Sequence, residues 1–589
     1  MAEIPVRKIF YLVASTMKQW CLNRLVRLRK RHVRIFCCVL ICLLIPYNFM
    51  FYSRGCRHTK VLYNPDRPDT FHHGYPKHLP DHLFPEVSVN TDPAMQALEL
   101  LASPVPPVVH FVWCDRDYFQ FQNYISILAA VKLLKPASIY FHYMQEPELD
   151  VDGYYQFYMD LKQMLPNLIQ KPLASFSQGC SEDIQTKMDF IVDLLKPDGG
   201  IYINENTVIT DSLTRHRKEH FNYATHSNTL ALVLMSSTFA EQTKPGDVSV
   251  VNDKREGGIK FSCASYSQYR KGQDVHCAFV TKQIFPADIF ESMDDFGSLA
   301  RWVAYGRTDL LKPAPANTTV IPNIVHYVWL GDRPFKYFYY LSLLSSLYIL
   351  NADMVFIHGD IKPKGPYWDK IKSHKRVTFS VRDFPAAIFT EPIVKFASHA
   401  SDYLRGDVLI RYGGIYMDWD VLWVNPIPNH LRRYETVMCP DFPATGAFPD
   451  VFNMGVLLAA QGSHYLRFFL ESYHHYLDSH WSYNAIHIPY KVYEKHADLV
   501  YVDRHLQVIC ATGECHPVWV PDFKDPNVHH LSSASFDWRR DTYAMHWTHP
   551  DPEEFTSEQS LMDSISLFGS IGKHVLRMAE QRLEKELRR

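Results

Sequence analysis

Tyr412-Gly413-Gly414-Ile415-Tyr416-Met417-Asp418-Trp419-Asp420-Val421-Leu422-Trp423 joins a double glycine to an apolar, strand-like run that carries two carboxylates two residues apart. In extended backbone that spacing sends both side chains to one side. Two anions held so close repel, and a divalent cation removes the penalty; an all-oxygen carboxylate pair suits Mn²⁺ or Mg²⁺ rather than zinc. The flanking Ile415, Tyr416, Trp419, Val421 and Trp423 make this a costly place for carboxylates that bind nothing, whereas a bare Asp-x-Asp elsewhere is usually a solvated loop. Gly413-Gly414 allows a sharp turn and a close backbone approach to a ligand.

The same pattern occurs earlier. Gly199-Gly200-Ile201-Tyr202-Ile203-Asn204-Glu205-Asn206 aligns with Gly413 to Asp420 at a separation of 214 positions. Upstream, Pro107-Val108-Val109-His110-Phe111-Val112-Trp113 aligns with Asn323-Ile324-Val325-His326-Tyr327-Val328-Trp329 at a separation of 216. Each copy continues into an aromatic, Leu-rich helical stretch (118–134; 335–350) and a short strand (138–141; 354–357). The copies differ where the chemistry lies. Asn204 and Asn206 replace the two aspartates, and amides bind a hard dication far more weakly, so the first copy is expected to be silent.

At 589 residues the chain exceeds one core. With 47% apolar and 14% aromatic residues and a formal charge of −2, it is an ordinary globular composition with no global case for nucleic-acid binding. The expected organisation is a basic cytoplasmic tail (1–34), a transmembrane signal anchor (35–52), a stem rich in Pro, His and Asp (53–103), a first α/β domain (104–305), a linker (306–321) and a second α/β domain (322–589). The uncharged segment 35–52 would span about 27 Å as a helix, and the arginines before it keep the N-terminus cytoplasmic. A cleaved signal peptide is the competing reading, but no small-x-small cleavage pattern follows. Such a short span suits a Golgi-type membrane, with the body lumenal. Eight cysteines follow the span; Cys263 with Cys277, and Cys510 with Cys515, are the expected disulfides. Asn317-Thr318-Thr319 is a glycosylation sequon in the linker. At the C-terminus, Thr556 and Gln559 are expected to form a capping box for one helix with an apolar stripe of Leu561, Ile565, Phe568, Val575, Ala579, Leu583 and Leu587.

Asp402 and Arg405 share a helix face at i and i+3, with Leu404, Val408 and Tyr412 on another face toward the sheet. A carboxylate beside a guanidinium can hold sugar hydroxyls and a phosphate, although a surface ion pair has the same spacing. Asp402-x-x-Arg405 followed by Gly-Gly-x-Tyr416-x-Asp418-x-Asp420 resembles the lumenal glycosyltransferases of family 32, the sugar-binding-region proteins with a DXD motif. That family includes yeast initiating mannosyltransferases and animal α-1,4-galactosyl- and α-1,4-N-acetylglucosaminyltransferases, with the glucosylating clostridial toxins more distant. The resemblance implies two tandem GT-A-like (Rossmann-like) domains and a retaining, metal-dependent transfer of a hexose or N-acetylhexosamine. The donor would be a nucleotide sugar, a UDP-sugar being favoured, and the acceptor a glycan, glycoprotein or glycolipid. It implies Asp402, Arg405 and Asp420 as catalytic residues. Trp329, Asp402, Arg405, Tyr416, Asp418 and Asn453 would bind the donor, with Trp329 stacking on its base. Asp418, Asp420 and His546 would hold Mn²⁺ or Mg²⁺, the alternative for His546 being a hydrogen-bonded core histidine. In the first copy Met188 and Ile191 stand where Asp402 and Arg405 do. The rivals are a non-catalytic lumenal glycan-binding or scaffold protein built from inactive copies, and a metal-dependent phosphodiesterase, for which no richer metal-ligand cluster is present.

Overall fold

The computed structural model describes residues 103–587, apart from 115–117, 148–153, 174–179, 245–246, 249, 251–258, 261–262, 384, 386, 390, 394–397, 442–450, 480, 512–513, 520–536 and 549. The expected tail, anchor and all but Ser103 of the stem lie outside the described residues. Among the described residues no helix is long and apolar enough to cross a membrane.

The strands of the first copy are β1 (Val108–Trp113), β2 (Ser138–Tyr143), β3 (Leu168–Pro172), β4 (Gly200–Ile203), β5 (Thr207–Ile209), β6 (Phe221–His226), β7 (Thr229–Met235), β8 (Ile259–Lys260), β9 (Cys263–Ser265) and β10 (Cys277–Phe279). Those of the second are β11 (Ile324–Trp329), β12 (Met354–Gly359), β13 (Val377–Val381), β14 (Ala387–Ile388), β15 (Glu391–Pro392), β16 (Gly414–Met417), β17 (Val421–Trp423), β18 (Thr436–Pro440), β19 (Phe452–Ala459), β20 (Tyr501–Val502), β21 (Gln507–Ala511), β22 (Glu514–His516) and β23 (Ala544–Trp547). Two seven-stranded sheets result, ordered β3-β2-β1-β4-β7-β6-β8 and β13-β12-β11-β16-β19-β18-β20. They match position for position. In the second, β13, β12, β11 and β16 run parallel, and β19 turns antiparallel to β16.

The near-continuous apolar strands are those of a sheet covered on both faces. The Leu-rich helix Tyr337–Tyr348 is buried along almost its whole length, with Tyr327 of β11 reaching its Ser342 and Ser346. The histidine at the centre of β11 is buried on the opposite face, beside Tyr412. His326 Nε2 lies 2.9 Å from the Gly413 carbonyl, which can only accept, so Nε2 donates and Nδ1 accepts at 2.9 Å from His358 Nε2. His110 and His142 repeat the pairing in the first sheet at 3.1 Å. The double glycines serve this packing rather than a ligand. Gly413 and Gly414 have φ of +65° and +117°, and a Cβ on Gly414 would come 2.6 Å from the Ile324 carbonyl oxygen of β11.

Three local expectations change. Asp418 and Asp420 sit in the tight turn between β16 and β17, not within a strand. Tyr412, although half-exposed, packs on the sheet as expected, stacking on His326 of β11 and His358 of β12. The C-terminal stretch breaks at 564–566 into helices Glu558–Asp563 and Leu567–Leu587, the first capped by Ser557 accepting from the Ser560 N–H; Gln559 instead bonds Asp563. With the break, Ile565 becomes fully exposed; Leu583 is half-exposed, while Leu561, Val575 and Ala579 remain buried. Finally, Cys114 pairs with Cys180 and Cys510 with Cys515. Cys263 and Cys277 face each other across β9 and β10 as thiols, not as the expected disulfide. The Cys114–Cys180 link depends on folding that returns the chain to the end of β1, which spacing does not reveal.

Candidate active site

In the second sheet β11 leads to β12 and β13 on one side and has β16 on the other, so the order reverses between β11 and β16. Ligands of open α/β sheets gather outside the carboxyl ends of strands at such a switch point. Asp418 and Asp420 follow the carboxyl end of β16, and Trp329 closes β11.

The small sheet beside it supplies a third group. Antiparallel pairing of β17 with β23 sets Val421 opposite His546, and one carboxylate oxygen each of Asp418 and Asp420 lies within 4.8 Å of an imidazole nitrogen of His546 and of one another. His546 is buried, and its Nε2 stands 3.4 Å from Asp420. Its Nδ1 has no hydrogen-bond partner among the described residues. The ring is held by shape: a Cβ on Gly455 would lie 2.3 Å from His546 Cε1 and 2.8 Å from Nδ1. Two carboxylates and an imidazole converging from two sheets fit a divalent cation as a donor set.

Behind the acids stands the helix Ser398–Tyr412, whose Asp402 and Arg405 are both buried. Arg405 reaches Asp402 at 2.7 Å and Asp418 at 3.3 Å, and donates to the Met454 carbonyl at 2.8 Å. Tyr416 donates to Asp418 at 2.6 Å and lies 3.1 Å from Ser401. The Asp418 N–H donates to the Gly455 carbonyl. Asp418 is thus fixed on three sides. Burial pushes its carboxyl above the usual range against the pull of Arg405, and burial, with repulsion from Asp418 added, lifts Asp402 to about 6 against the same guanidinium. Burial opposes the imidazolium of His546, but Asp420 and Asp418 outweigh it and raise its pKa.

Asn453 lies at the start of β19, where its side-chain oxygen accepts from the Gly455 N–H and its amide donates to Asp441 at 3.0 Å. Trp329 is wholly buried among Phe335, Tyr339 and Trp419. The exposed Arg333 lies 4.3 Å over its ring, so a base stacking on that face would have to displace the guanidinium. Sequence reasoning passed over Ser401, Asp441 and the steric role of Gly455. None belongs to a spaced motif; the Asn453-Met454-Gly455 triplet was visible, but not what it faces.

The first copy answers point by point. Pairing of β5 with β10 places Phe279 opposite Thr207, the register His546 holds opposite Val421. The Asn204 N–H donates to the Ala231 carbonyl as that of Asp418 does to Gly455. The four positions Asp418, Asp420, His546 and Gly455 thus correspond to Asn204, Asn206, Phe279 and Ala231.

Fold and site together define an α/β protein whose second sheet carries a candidate cation site at its switch point. The family model described as glycosyltransferase sugar-binding region containing DXD motif matches residues 346–438, which run from the helix after β11 through the acidic pair to β18. The match covers the Asp402 to Asp420 pattern on which the resemblance rests and supports a transferase. Glucan organizing enzyme 1 of Cryptococcus neoformans var. grubii is 26% identical over 216 residues, 34% of this chain and 56% of that protein, so the chain spans about half the length of this curated relative. Among solved structures, the PaToxG glycosyltransferase overlaps 31% of this chain and 71% of its own at 18% identity and a TM-score of 0.23. The galactosyltransferase LgtC overlaps 44% and 95% at 10% identity and a TM-score of 0.24. Such slight superpositions carry no argument about the site.

Proposed function

We propose that the second copy is a metal-dependent glycosyltransferase domain that moves a hexose or N-acetylhexosamine from a nucleotide sugar, UDP-linked by preference, to a glycan, glycoprotein or glycolipid. Transfer retains anomeric configuration, following the family resemblance. The observation that carries this reading is the convergence of Asp418, Asp420 and His546 on one point at the switch of the sheet, braced from behind by Arg405. Mn²⁺ or Mg²⁺ held there would supply Lewis-acid charge for a diphosphate leaving group. Arg405 and Tyr416 hold Asp418 in place, and the burial of Asp402, Arg405 and His546 keeps water from their charges.

The first copy, 104–305, is a silent relative joined by 306–321, a segment without helix or strand in which Asn317 is exposed. The replacement of all three ligand positions favours this reading, and it confines the rival, a glycan-binding or scaffold role, to that copy. The uncharged segment 35–52 behind its basic stretch supports reading the chain as a single-pass type II protein with its body in the lumen of the Golgi.

The test is Mn²⁺-dependent hydrolysis of a panel of nucleotide sugars by the chain and by its Asp420→Asn variant. Slow release of one nucleotide, lost in the variant, is the expected result. Equal release by both would remove the acidic pair from the mechanism; silence across the panel by folded protein would favour the glycan-binding rival.

A further inference from the structure

The silent copy is docked on one short helix of the active copy. Tyr154, buried in the first copy, donates to Glu494 Oε1 at 2.6 Å, and Tyr305 donates to the Glu494 carbonyl at 2.6 Å. Glu494 is fully buried, and its other carboxylate oxygen meets Lys491 at 2.8 Å, the ammonium lying 4.8 Å over the Tyr154 ring. A buried carboxylate with this many donors is fixed in direction, and losing one donor leaves a desolvated charge under-satisfied. Arg504 with Glu291 and Arg307 with Asp498 add partly exposed ion pairs at the rim.

The next face of the same helix, Ile488–Lys495, looks toward the site. Tyr490 and Tyr493 pack edge-on against Phe452, with ring centroids 5.3 and 5.1 Å away. Phe452 opens β19, and the three residues after it are those that hold the acids: Asn453 fixes Gly455, Met454 accepts from Arg405, and Gly455 accepts from Asp418 and bounds His546. The path from Tyr154 to the metal ligands is continuous through packed side chains and one strand.

We infer that the first copy, having lost its own site, is a positioning domain for the second: Tyr154 and Tyr305, through Glu494 and its helix, hold the start of β19 so that Asp418 and His546 meet a divalent cation at the right separation. This rests on the transferase reading for its purpose but not for its measurement. Metal ligands tolerate only about 0.2 Å of misplacement, so a loosened strand registers in affinity before it registers in folding.

The experiment compares Mn²⁺ affinity by calorimetry, nucleotide-sugar turnover and thermal stability in the full chain, its Tyr154→Phe/Tyr305→Phe variant and an Arg504→Ala control at the rim. The expected result is a loss of Mn²⁺ affinity of about tenfold in the double variant, well below its melting temperature and with an unchanged circular dichroism spectrum, and none in the control. Glu494→Gln, which keeps an acceptor for Tyr154, should fall between. A lower melting temperature with wild-type Mn²⁺ affinity would reduce the contact to a structural one and overturn the inference. If the wild type binds Mn²⁺ but turns over no donor, the proposed function fails while the affinity comparison still decides this one; a wild type that binds no Mn²⁺ overturns both.

Discussion

Gly455→Ala is the sharpest test of how the site is built, because the substitution adds one methyl group and no charge. The added Cβ would stand 2.3 Å from His546 Cε1, where ordinary contact begins at 3.4 Å. The Cβ is fixed to the strand, so the imidazole has to retreat by about 1 Å, several times the 0.2 Å or so that a metal–ligand bond tolerates. The third ligand is then lost while both aspartates stay. Loss of a group that merely supports a ligand costs about 10- to 100-fold in affinity, or about 1.4–2.7 kcal/mol, so loss of the ligand itself is expected to cost at least that much. Mn²⁺ titration by calorimetry reads this directly, with His546→Ala and the double variant completing a cycle. If both single changes act by removing the same ligand, the double variant binds no more weakly than either one. Wild-type affinity in folded Gly455→Ala, or additive losses in the double variant, would refute the steric account. The first copy carries Ala231 at this position and faces it with no histidine.

Further outcomes follow from the same geometry. Asp420→Asn abolishes metal-dependent turnover with a melting temperature close to wild type, whereas Asn206→Asp gains nothing, since Phe279 and Ile191 still occupy the places of His546 and Arg405; Mn²⁺ titration of both variants checks this. Burial holds His326 to about 4 and His358 to about 3, and likewise His142 to about 4 and His110 to about 3. Their folded-state pKa values lie below the ordinary 6.5, so their contribution to stability is complete above that pH. It is lost as pH falls toward 4, by up to about 1.4 kcal/mol per pH unit for each histidine. Urea unfolding at pH 7.5, 6 and 5 measures it; a flat profile would mean that the imidazoles titrate as solvated groups in the folded protein, and a rise in stability toward pH 5 would mean that they are charged there. Arg333→Ala uncovers one face of Trp329; if the nucleotide base stacks there, quenching of tryptophan fluorescence by UDP occurs at lower concentration in the variant than in wild type.

Much of this was readable from the chain. The apolar β1 and β11 runs, the Leu-rich helices and the glycine pairs recur at nearly constant separations, and local periodicity and covalent spacing survive any fold. Asp402 and Arg405 fall on one helix face because 3.6 residues make a turn. The less regular positions were harder. Ile565 lies exposed because the helix breaks around it, and the extended placement of Asp418 and Asp420 gave way to a turn that still brings the carboxylates together.

The sequence by itself determined a duplicated α/β chain with one acidic copy and one amide copy, and the identity of the residues that could hold a cation. The family resemblance pointed to His546, 126 positions beyond Asp420, but spacing could not decide between a third ligand and a core histidine, nor show that Gly455 makes room for it or that Phe279 stands in its place in the first copy. Those facts are matters of strand register between β17 and β23 and between β5 and β10. Register is set by which long-range pairing buries the most apolar surface, and a shift of one residue would turn His546 to the opposite face. The docking of Tyr154 on Glu494, 340 positions away, is of the same kind. Contacts between distant segments leave no period in the sequence; the packed tertiary structure alone decides them.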